Sequence, residues 1–335
     1  MRALQADAFS IDSLRLVELP KPEPRRGDIL VRVKAASLNY RDLAILCGGY
    51  MPSLALPYVP CSDACGVVEA VGEDVSRFKP GDRVIPVYLQ GWRDGALTPE
   101  QRSGGSLGGP LTGVLQDYVV VPAEDAVAAP AYLSDAQAST LPIAALTAWS
   151  CLQQGGLQAG QTVLVQGTGG VALFAAQFAR AAGARVIGLT SSEAKAALMR
   201  GLGVDHVINY RQTPAWGQAV REATGGRGVD IVVETTGSSL GESLTAVRFN
   251  GFVGVIGFVG GQETSLNIRQ LIGPMIRMEG VVVGSRARLE AMMRMMALHR
   301  IEPVVDASFA LERAAEGLMR MQRGEHSGKI VISFD

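Results

Sequence analysis

Over residues 1–126, apolar positions come in short runs separated by glycine and proline, among them Ile29–Ala35, Ala64–Val71, Asp82–Val87 and Gln116–Val121. Runs of that length predict short strands, and their frequent punctuation predicts an antiparallel or barrel-like unit. Pro80, Gly81 and Asp82 form a turn by their chemistry, proline fixing one dihedral and glycine relieving the next. Gln90–Gly113 is rich in glycine and has no apolar period, which predicts a long surface loop or lid.

The pattern changes from Leu141 onward. Strand-like runs at Thr162–Gln166, Arg185–Leu189, Val207–Asn209, Val229–Thr235, Phe252–Phe258 and Met278–Val283 alternate with helical segments at Val171–Ala182 and Glu193–Leu202. Such alternation predicts an α/β fold, a doubly wound parallel sheet covered by helices on both faces. Ala287–His299 reads as a helix, with Met292, Met293, Met295 and Met296 as core packing, and Lys329–Phe334 as a last strand.

At 335 residues the chain is longer than one hydrophobic core usually spans, so two domains are expected. Its 31 basic and 32 acidic residues balance, which gives no electrostatic basis for binding nucleic acid or an anionic membrane surface. Apolar runs such as Ile143–Leu146 and Val281–Val283 fall far short of the about 20 residues that span a bilayer. The first residues lack the pattern of a signal peptide, so a cytoplasmic location is expected. Cys47, Cys61, Cys65 and Cys151 are too few for a disulfide framework. Cys61 and Cys65 are spaced to share a helical face, but no further Cys or His nearby completes a metal site, and His206, His299 and His326 show no ligand spacing.

The sharpest local signal is VLVQGTGGVALFAAQFA, in which Gly167, Gly169 and Ala172 satisfy the dinucleotide-binding fingerprint between a strand and a helix. Gly167 permits the turn, Gly169 lets the backbone approach a pyrophosphate, and Ala172 allows close packing of helix on sheet. Gly170 and Val171 open the helix whose free N–H groups would meet the phosphates. Where an NAD site carries an acid for the ribose hydroxyls, this chain has Leu189, Thr190, Ser191 and Ser192, followed by Lys195, with Tyr210 and Arg211 after the next strand. Hydroxyl and cationic donors without an acid suit a 2′-phosphate, so NADPH is expected over NADH.

These residues, with LNYRDL at Leu38–Leu43, GGY at Gly48–Tyr50, LPYVPCSDACGVVEAVG at Leu56–Gly72, FKPGDRV at Phe78–Val84, LPIAALTAW at Leu141–Trp149, GRGVDIVVE at Gly226–Glu234 and HSGKIVI at His326–Ile332, resemble the medium-chain dehydrogenase/reductase superfamily, in its zinc-independent quinone oxidoreductase-like branch. The resemblance implies a GroES-like β-barrel-type catalytic domain from residues 1–126 and 300–335, with a Rossmann domain for NADP inserted at 127–299. Zinc-using members place a Cys where this chain has Asn39, a His at Ser62, a second Cys or an acid near Ile143, and a proton-relay His at about Ala44; the structural-zinc loop would fall in Gln90–Gly113, which has no cysteine. No zinc is therefore expected.

By the same resemblance Tyr50 matches in position the tyrosine proposed as acid in related enoyl-thioester reductases, and Asn39 would orient the acceptor or the nicotinamide ribose. Packing on the loop for Tyr50 and turn capping for Asn39 are the competing roles. Arg41 and Asp42 read equally as a structural ion pair. Thr147, Gly257, Phe258 and Ser285 are implied cofactor contacts, and Arg286 either binds an anionic substrate group or serves a hinge or dimer contact. Without a metal, a small electrophile such as a quinone or an α,β-unsaturated carbonyl is the expected hydride acceptor. The alternatives are an alcohol or aldehyde dehydrogenase-like oxidoreductase and a weakly catalytic NADPH-binding protein. A homodimer is expected through open edge strands.

Overall fold

The computed structural model describes residues 1–334. In chain order the first elements are β1 (Arg2–Ala6), β2 (Leu14–Glu18), β3 (Asp28–Ser37), α1 (Tyr40–Leu46), β4 (Asp63–Val71), β5 (Arg83–Pro86), α2 (Pro99–Gly104), β6 (Tyr118–Pro122), β7 (Ala126–Ala128) and α3 (Asp135–Ala138). A π-helical turn at Leu141–Ala145 leads into α4 (Leu146–Gln154). Strands and helices then alternate: β8 (Thr162–Gln166), α5 (Gly170–Ala181), β9 (Arg185–Thr190), α6 (Glu193–Gly201), β10 (His206–Asn209), α7 (Trp216–Ala223), β11 (Val229–Glu234), α8 (Leu240–Ala246), β12 (Val247–Val255), α9 (Arg269–Ile272) and β13 (Arg277–Gly280). The chain ends with α10 (Arg286–His299), β14 (Val305–Ala310), α11 (Ala314–Gln322) and β15 (Lys329–Ser333).

Packing divides the chain into one compact unit of Met1–Leu146 with Gly284–Asp335 and a second of Thr147–Val283. The sequence expectation had set the borders at 126/127 and 299/300. Residues 127–146 and α10 go with the first unit because their apolar faces are buried there: Leu289, Met292 and Met296 are fully covered on α10, and Tyr132 donates to the Ile301 carbonyl at 2.9 Å. Of the methionine stripe, Met292 and Met296 are core, whereas Met293 and Met295 are half-buried.

In the first unit β3 is the organising strand. Its length lets it pair antiparallel with β4 along one edge and, along the other, with β6 at Asp28–Arg32 and β15 at Ala35–Ser37. The sheet runs β14-β15-β3-β4-β5-β7, and β1 and β2 form a separate ribbon. The C-terminal strand thereby lies beside the chain's early strands, as the resemblance implies. Cys61 precedes β4 in a left-handed conformation (φ 71°) and Cys65 lies within that strand, so the helical face expected from their spacing does not exist.

Gln90–Gly113 is more ordered than its composition predicts. Thr98 accepts from the Gln101 N–H at 3.3 Å and the Gln101 side chain accepts from the Thr98 N–H at 3.0 Å, a reciprocal cap that nucleates α2. Gln90 and Gly105 pair their backbones at 2.8 Å, and Trp92 and Arg93 accept N–H bonds from Arg286 and Ala287, which ties the excursion down at its base.

The second unit has one parallel sheet in the order β10-β9-β8-β11-β12-β13. Every residue of β8 and of β11 is buried, as required of central strands covered on both faces. On α5 the run of small residues Ala172, Ala175, Ala176 and Ala179 faces inward, bringing the helix close to the sheet. Strand order reverses between β8 and β11, and ligands of such sheets bind at that point, beyond the carboxyl ends of the strands. Among the described residues no helix is long and apolar enough to cross a membrane.

Candidate active site

In the second unit the turn after β8 has the shape a dinucleotide requires. Gly167 takes φ 76°, which disfavours any side chain, and its N–H is held by the Leu189 carbonyl at 2.8 Å. A Cβ on Gly167 or Gly169 would enter open space, so nothing of the protein fills the region in front of Gly170 and Val171, where α5 presents its unpaired N–H groups. The residues fit a bound pyrophosphate. Helix α5 begins one residue earlier than the sequence reading had it.

Strands β9 and β10 are parallel neighbours with Asn209 opposite Thr190, and the Tyr210 N–H donates to the Thr190 carbonyl at 3.0 Å. That pairing brings Ser191, Ser192 and Tyr210 out at the same end of adjacent strands. Ser192 caps α6 by accepting from the Lys195 N–H at 3.4 Å, Tyr210 is exposed, and the Thr190 hydroxyl is buried with no hydrogen-bond partner among the described residues. Glu193, the nearest acid, is exposed and bound to Arg200 at 2.7 Å. Thr147 is buried on α4.

At the end of β11 a fully buried carboxylate, Glu234, organises the loop at the switch point. It accepts from the Gln166 amide (2.7 Å), from the Thr236 and Gly237 N–H groups (2.9 and 3.0 Å) and from the hydroxyls of Thr236, Ser239 and Ser243. Gly257 and Phe258 follow β12 beside this loop. A side chain on Gly257 would approach the Thr235 carbonyl to 2.5 Å, so its role is close backbone packing next to the ligand region. Ser285 belongs to the first unit, where its buried hydroxyl caps α10 at the Arg288 N–H, 3.3 Å. Arg286 donates to the Glu124 carboxylate and carbonyl, both at 2.6 Å, an ion pair within the first unit.

In the first unit the residues at the resemblance's catalytic-zinc positions form a different device. Asn39 precedes α1, and its side-chain oxygen accepts from the fully buried Lys329 ammonium at 2.6 Å. Lys329 also donates to the Leu38 carbonyl. Because an ammonium only donates, Asn39 must turn its oxygen to Lys329, and its amide N–H group reaches the Ser37 carbonyl at 3.3 Å. Asp63 accepts from the Ser62 hydroxyl at 2.9 Å and from the Ile143 N–H at 3.0 Å. Burial, helped by Asp42, holds the Asp63 carboxyl up at about 6 against the downward pull of Lys329, Asn39 and Ser62. Burial also lowers the Lys329 ammonium, against the attraction of Asp63 and Asp42. Asp42, buried and likewise pushed upward by desolvation, accepts from the Asn39 N–H at 2.8 Å and faces the Arg41 guanidinium at 3.5 Å, the structural ion pair anticipated.

A zinc ion does not fit these residues. Ser62 and Asn39 are spent on Asp63 and Lys329, Ile143 offers only an alkyl side chain, and a second cation would lie against the buried ammonium. Among the described residues no group of three or more His, Cys, Asp or Glu side chains is arranged to hold a metal.

Tyr50 lies beyond the other end of α1, whose seven residues rise about 10 Å, so the two catalytic candidates flank one helix. It is half-buried, and its phenol oxygen accepts from Arg102 of α2 at 2.8 Å. Side chains that these clusters contain and sequence reasoning did not single out are Lys329, Asp63, Glu234, Gln166 and Arg102. Lys329 carried a signal in the sequence, a cation at the head of the apolar run IVISF.

Comparison with known proteins bears on the fold and the family. Residues 25–131 match the alcohol dehydrogenase GroES-like domain and residues 170–298 the zinc-binding dehydrogenase domain. The chain is 39% identical to a zinc-type alcohol dehydrogenase-like protein of Schizosaccharomyces pombe, over 97% of this chain and 96% of that protein. It is 30% identical to a chloroplastic quinone oxidoreductase of Triphysaria versicolor, over 99% and 98%. A putative alcohol dehydrogenase from Sinorhizobium meliloti superposes with a TM-score of 0.94 at 44% identity, covering 99% of this chain and 98% of that one. Sequence motifs, a Rossmann strand order and these relatives converge: the chain belongs to the medium-chain dehydrogenase/reductase superfamily of NAD(P)-binding oxidoreductases.

Proposed function

We propose that the protein is a zinc-independent, NADPH-dependent reductase that delivers hydride to a quinone or an α,β-unsaturated carbonyl. The observation that carries the reading is the Lys329 ammonium bonded to Asn39, a fixed cation at the positions the resemblance gives to a metal. An activated acceptor needs hydrogen-bond donors at its oxygen and a proton afterwards, not a Lewis acid strong enough to hold an alkoxide. Asn39, its oxygen turned to Lys329, offers an N–H donor, and Tyr50, whose oxygen accepts from Arg102, has its O–H as a proton source. Bound NADPH supplies the hydride. Ser191, Ser192, Lys195 and Tyr210, with the unpartnered Thr190 hydroxyl, provide for a 2′-phosphate at a strand end where no acid opposes it.

The test is single-turnover oxidation of NADPH and of NADH by quinones and enones, on protein assayed for metal content. NADPH preference, turnover without bound zinc, and a roughly 100-fold slower proton-dependent step in Tyr50→Phe are expected. Equal use of NADH, loss of activity on chelation, or an unchanged Tyr50→Phe rate would each remove the corresponding part of the reading.

A homodimer through the open edge of the parallel sheet completes the proposal. Strand β13 is terminal in that sheet, and Phe249, Ile268, Ile272 and Met275 are exposed on nearby segments. Sedimentation of Ile272→Asp should show monomers where the parent protein shows dimers.

A further inference from the structure

Most half-buried arginines of this chain are held by a carboxylate or by several carbonyls. Arg286 is held by Glu124, Arg248 by Asp230, Arg83 by Asp135 and Arg2 by Asp117. Arg41 faces Asp42 and donates to the carbonyls of Leu107 and Gly109, and Arg221 is committed to the carbonyls of Thr245, Gly226 and Val247. Arg102 has no carboxylate within 4.0 Å among the described residues. Its guanidinium donates to the phenol oxygen of Tyr50 at 2.8 Å and lies beside the phenol of the buried Tyr88, both neutral acceptors. The ring of Tyr88 also has the Arg41 guanidinium over it, 5.0 Å from its centre. Two guanidiniums thus meet at one aromatic side chain, and the single carboxylate of the cluster, Asp42, is buried beside Arg41.

The segment that carries Arg102 is anchored on both sides of it. A whole excursion is built to hold it: the Thr98–Gln101 cap starts α2, Gln101 also donates to the Gly91 carbonyl at 2.9 Å, and Gly105 lies so close to the Gln90 carbonyl that a Cβ would come within 2.7 Å of it. Tyr50, to which the guanidinium is bonded, lines a groove of about 720 Å³ within the first unit, walled also by Met51, Leu54, Pro110 and Leu111; Ser103 is part of that wall, and Arg102 adjoins it through Tyr50. A phenol uses little of the donor capacity of a guanidinium, whose planar fork matches the two oxygens of a carboxylate or of a phosphate.

We propose that Arg102 selects an acceptor carrying an anionic group, a carboxylate or a phosphate, which binds on the guanidinium beside Tyr50 and sets the reducible bond within reach of that phenol. The proposal rests on the reductase reading above and names its substrate class. Arg102 is here a specificity-determining residue, and the chemical step is unchanged by it: hydride adds to the β-carbon of the acceptor, the C=C electron pair moves to the α-carbon and carbonyl as an enolate, and one proton closes the balance. Burial lowers the guanidinium's affinity for its proton and the neighbouring phenols raise it, with a net upward shift, so Arg102 stays a cation.

The test uses three acceptors that differ only in their tail: an enone with a methyl ester, the same enone with a free carboxylate, and the same enone with a phosphate. The parent protein should show kcat/KM at least tenfold higher for one or both anionic forms, and the better of the two identifies the group. In Arg102→Gln that preference should collapse to within about threefold, and Arg102→Lys should restore part of it. Equal kcat/KM for ester and anions in the parent protein, or an Arg102→Gln loss of the same size for all three, would overturn the proposal, the second result meaning that Arg102 only props Tyr50. Calorimetric binding of the saturated, unreactive carboxylate and its ester requires no turnover. If nothing is reduced, the reductase reading fails, yet tighter binding of the carboxylate that disappears in Arg102→Gln still supports the anion site, and equal binding of acid and ester refutes it.

Discussion

Each unit buries one carboxylate completely at the end of a strand, and the two are neutralised in opposite ways. Asp63, at the start of β4, lies in the field of a cation: Lys329 of β15, whose ammonium is bonded to Asn39 and the Leu38 carbonyl and not to the carboxylate itself. Glu234, at the end of β11, has none; backbone N–H groups, serine and threonine hydroxyls and the Gln166 amide surround it. A carboxylate wrapped in neutral donors has its charge held locally without placing a compensating cation beside the dinucleotide turn. The Asp63 arrangement keeps a positive group at Asn39, and the two buried charges influence each other across the cluster without direct contact. One unit uses its buried acid to fix a loop, and the other uses it to keep an ammonium in place.

The comparison can be broken most forcibly at Lys329. Lys329→Met leaves Asp63 buried without its countercharge and should cost about 3–5 kcal/mol in urea unfolding, most of it recovered when Asp63→Asn is added. A loss below about 1 kcal/mol would mean that the pair is not coupled. Glu234→Gln comes next. Its new amide must point N–H groups at the Gln166 amide or at the Thr236 and Gly237 N–H groups, and flipping Gln166 only moves the conflict to Thr235, whose N–H it accepts at 3.2 Å. A loss of up to about 3 kcal/mol is expected, together with weaker NADPH binding by fluorescence titration.

Asp230 gives the cofactor unit its own ion-paired acid as a control. Against the upward push of burial, hydrogen bonds from Arg227, the Thr162 N–H and Arg248 hold it down at about 2. Its depressed value stabilises the fold above the ordinary carboxylate range, near pH 4, and that contribution disappears as pH falls through about 2. Asp230→Asn should therefore cost about 2 kcal/mol at pH 7, with the difference from the parent protein closing between about pH 4 and pH 2. The smallest effect belongs to Ser62→Ala, which removes one hydrogen bond to Asp63 and should cost about 1 kcal/mol in the same unfolding measurement.

Much of the second unit was legible because its strands are apolar end to end and its helices keep their period; Thr162–Gln166 has the predicted bounds. Strand β12 starts earlier than the expected Phe252, at Val247, because Asn250 in a left-handed conformation (φ 55°) carries the chain through a bend that breaks the apolar run. The glycine turn, Ser191, Ser192 and Tyr210 could be placed from local pattern alone, since each follows a strand end. Helix α2 was missed although Thr98, Pro99, Glu100 and Gln101 carry a start signal, because no apolar period follows it. Lys329 and Asn39 are 290 residues apart, and their bond exists only because β15 pairs with β3. No local rule reveals such a pair. Arg102 is a further case: an arginine in a glycine-rich loop reads as solvated until the loop is seen to be anchored.

The seam formed by β15 on β3 also imposes an order on assembly. A ribosome delivers β3 well before β15, and all of Thr147–Val283 emerges in between as a unit with its own sheet. The middle segment can therefore mature during translation, whereas the flanking portion must wait, with Asp63 lacking the nearby ammonium, until Lys329 has been made. Nascent chains truncated ahead of residue 329 would carry a finished nucleotide-binding half joined to an open one, the form a quality-control chaperone would meet.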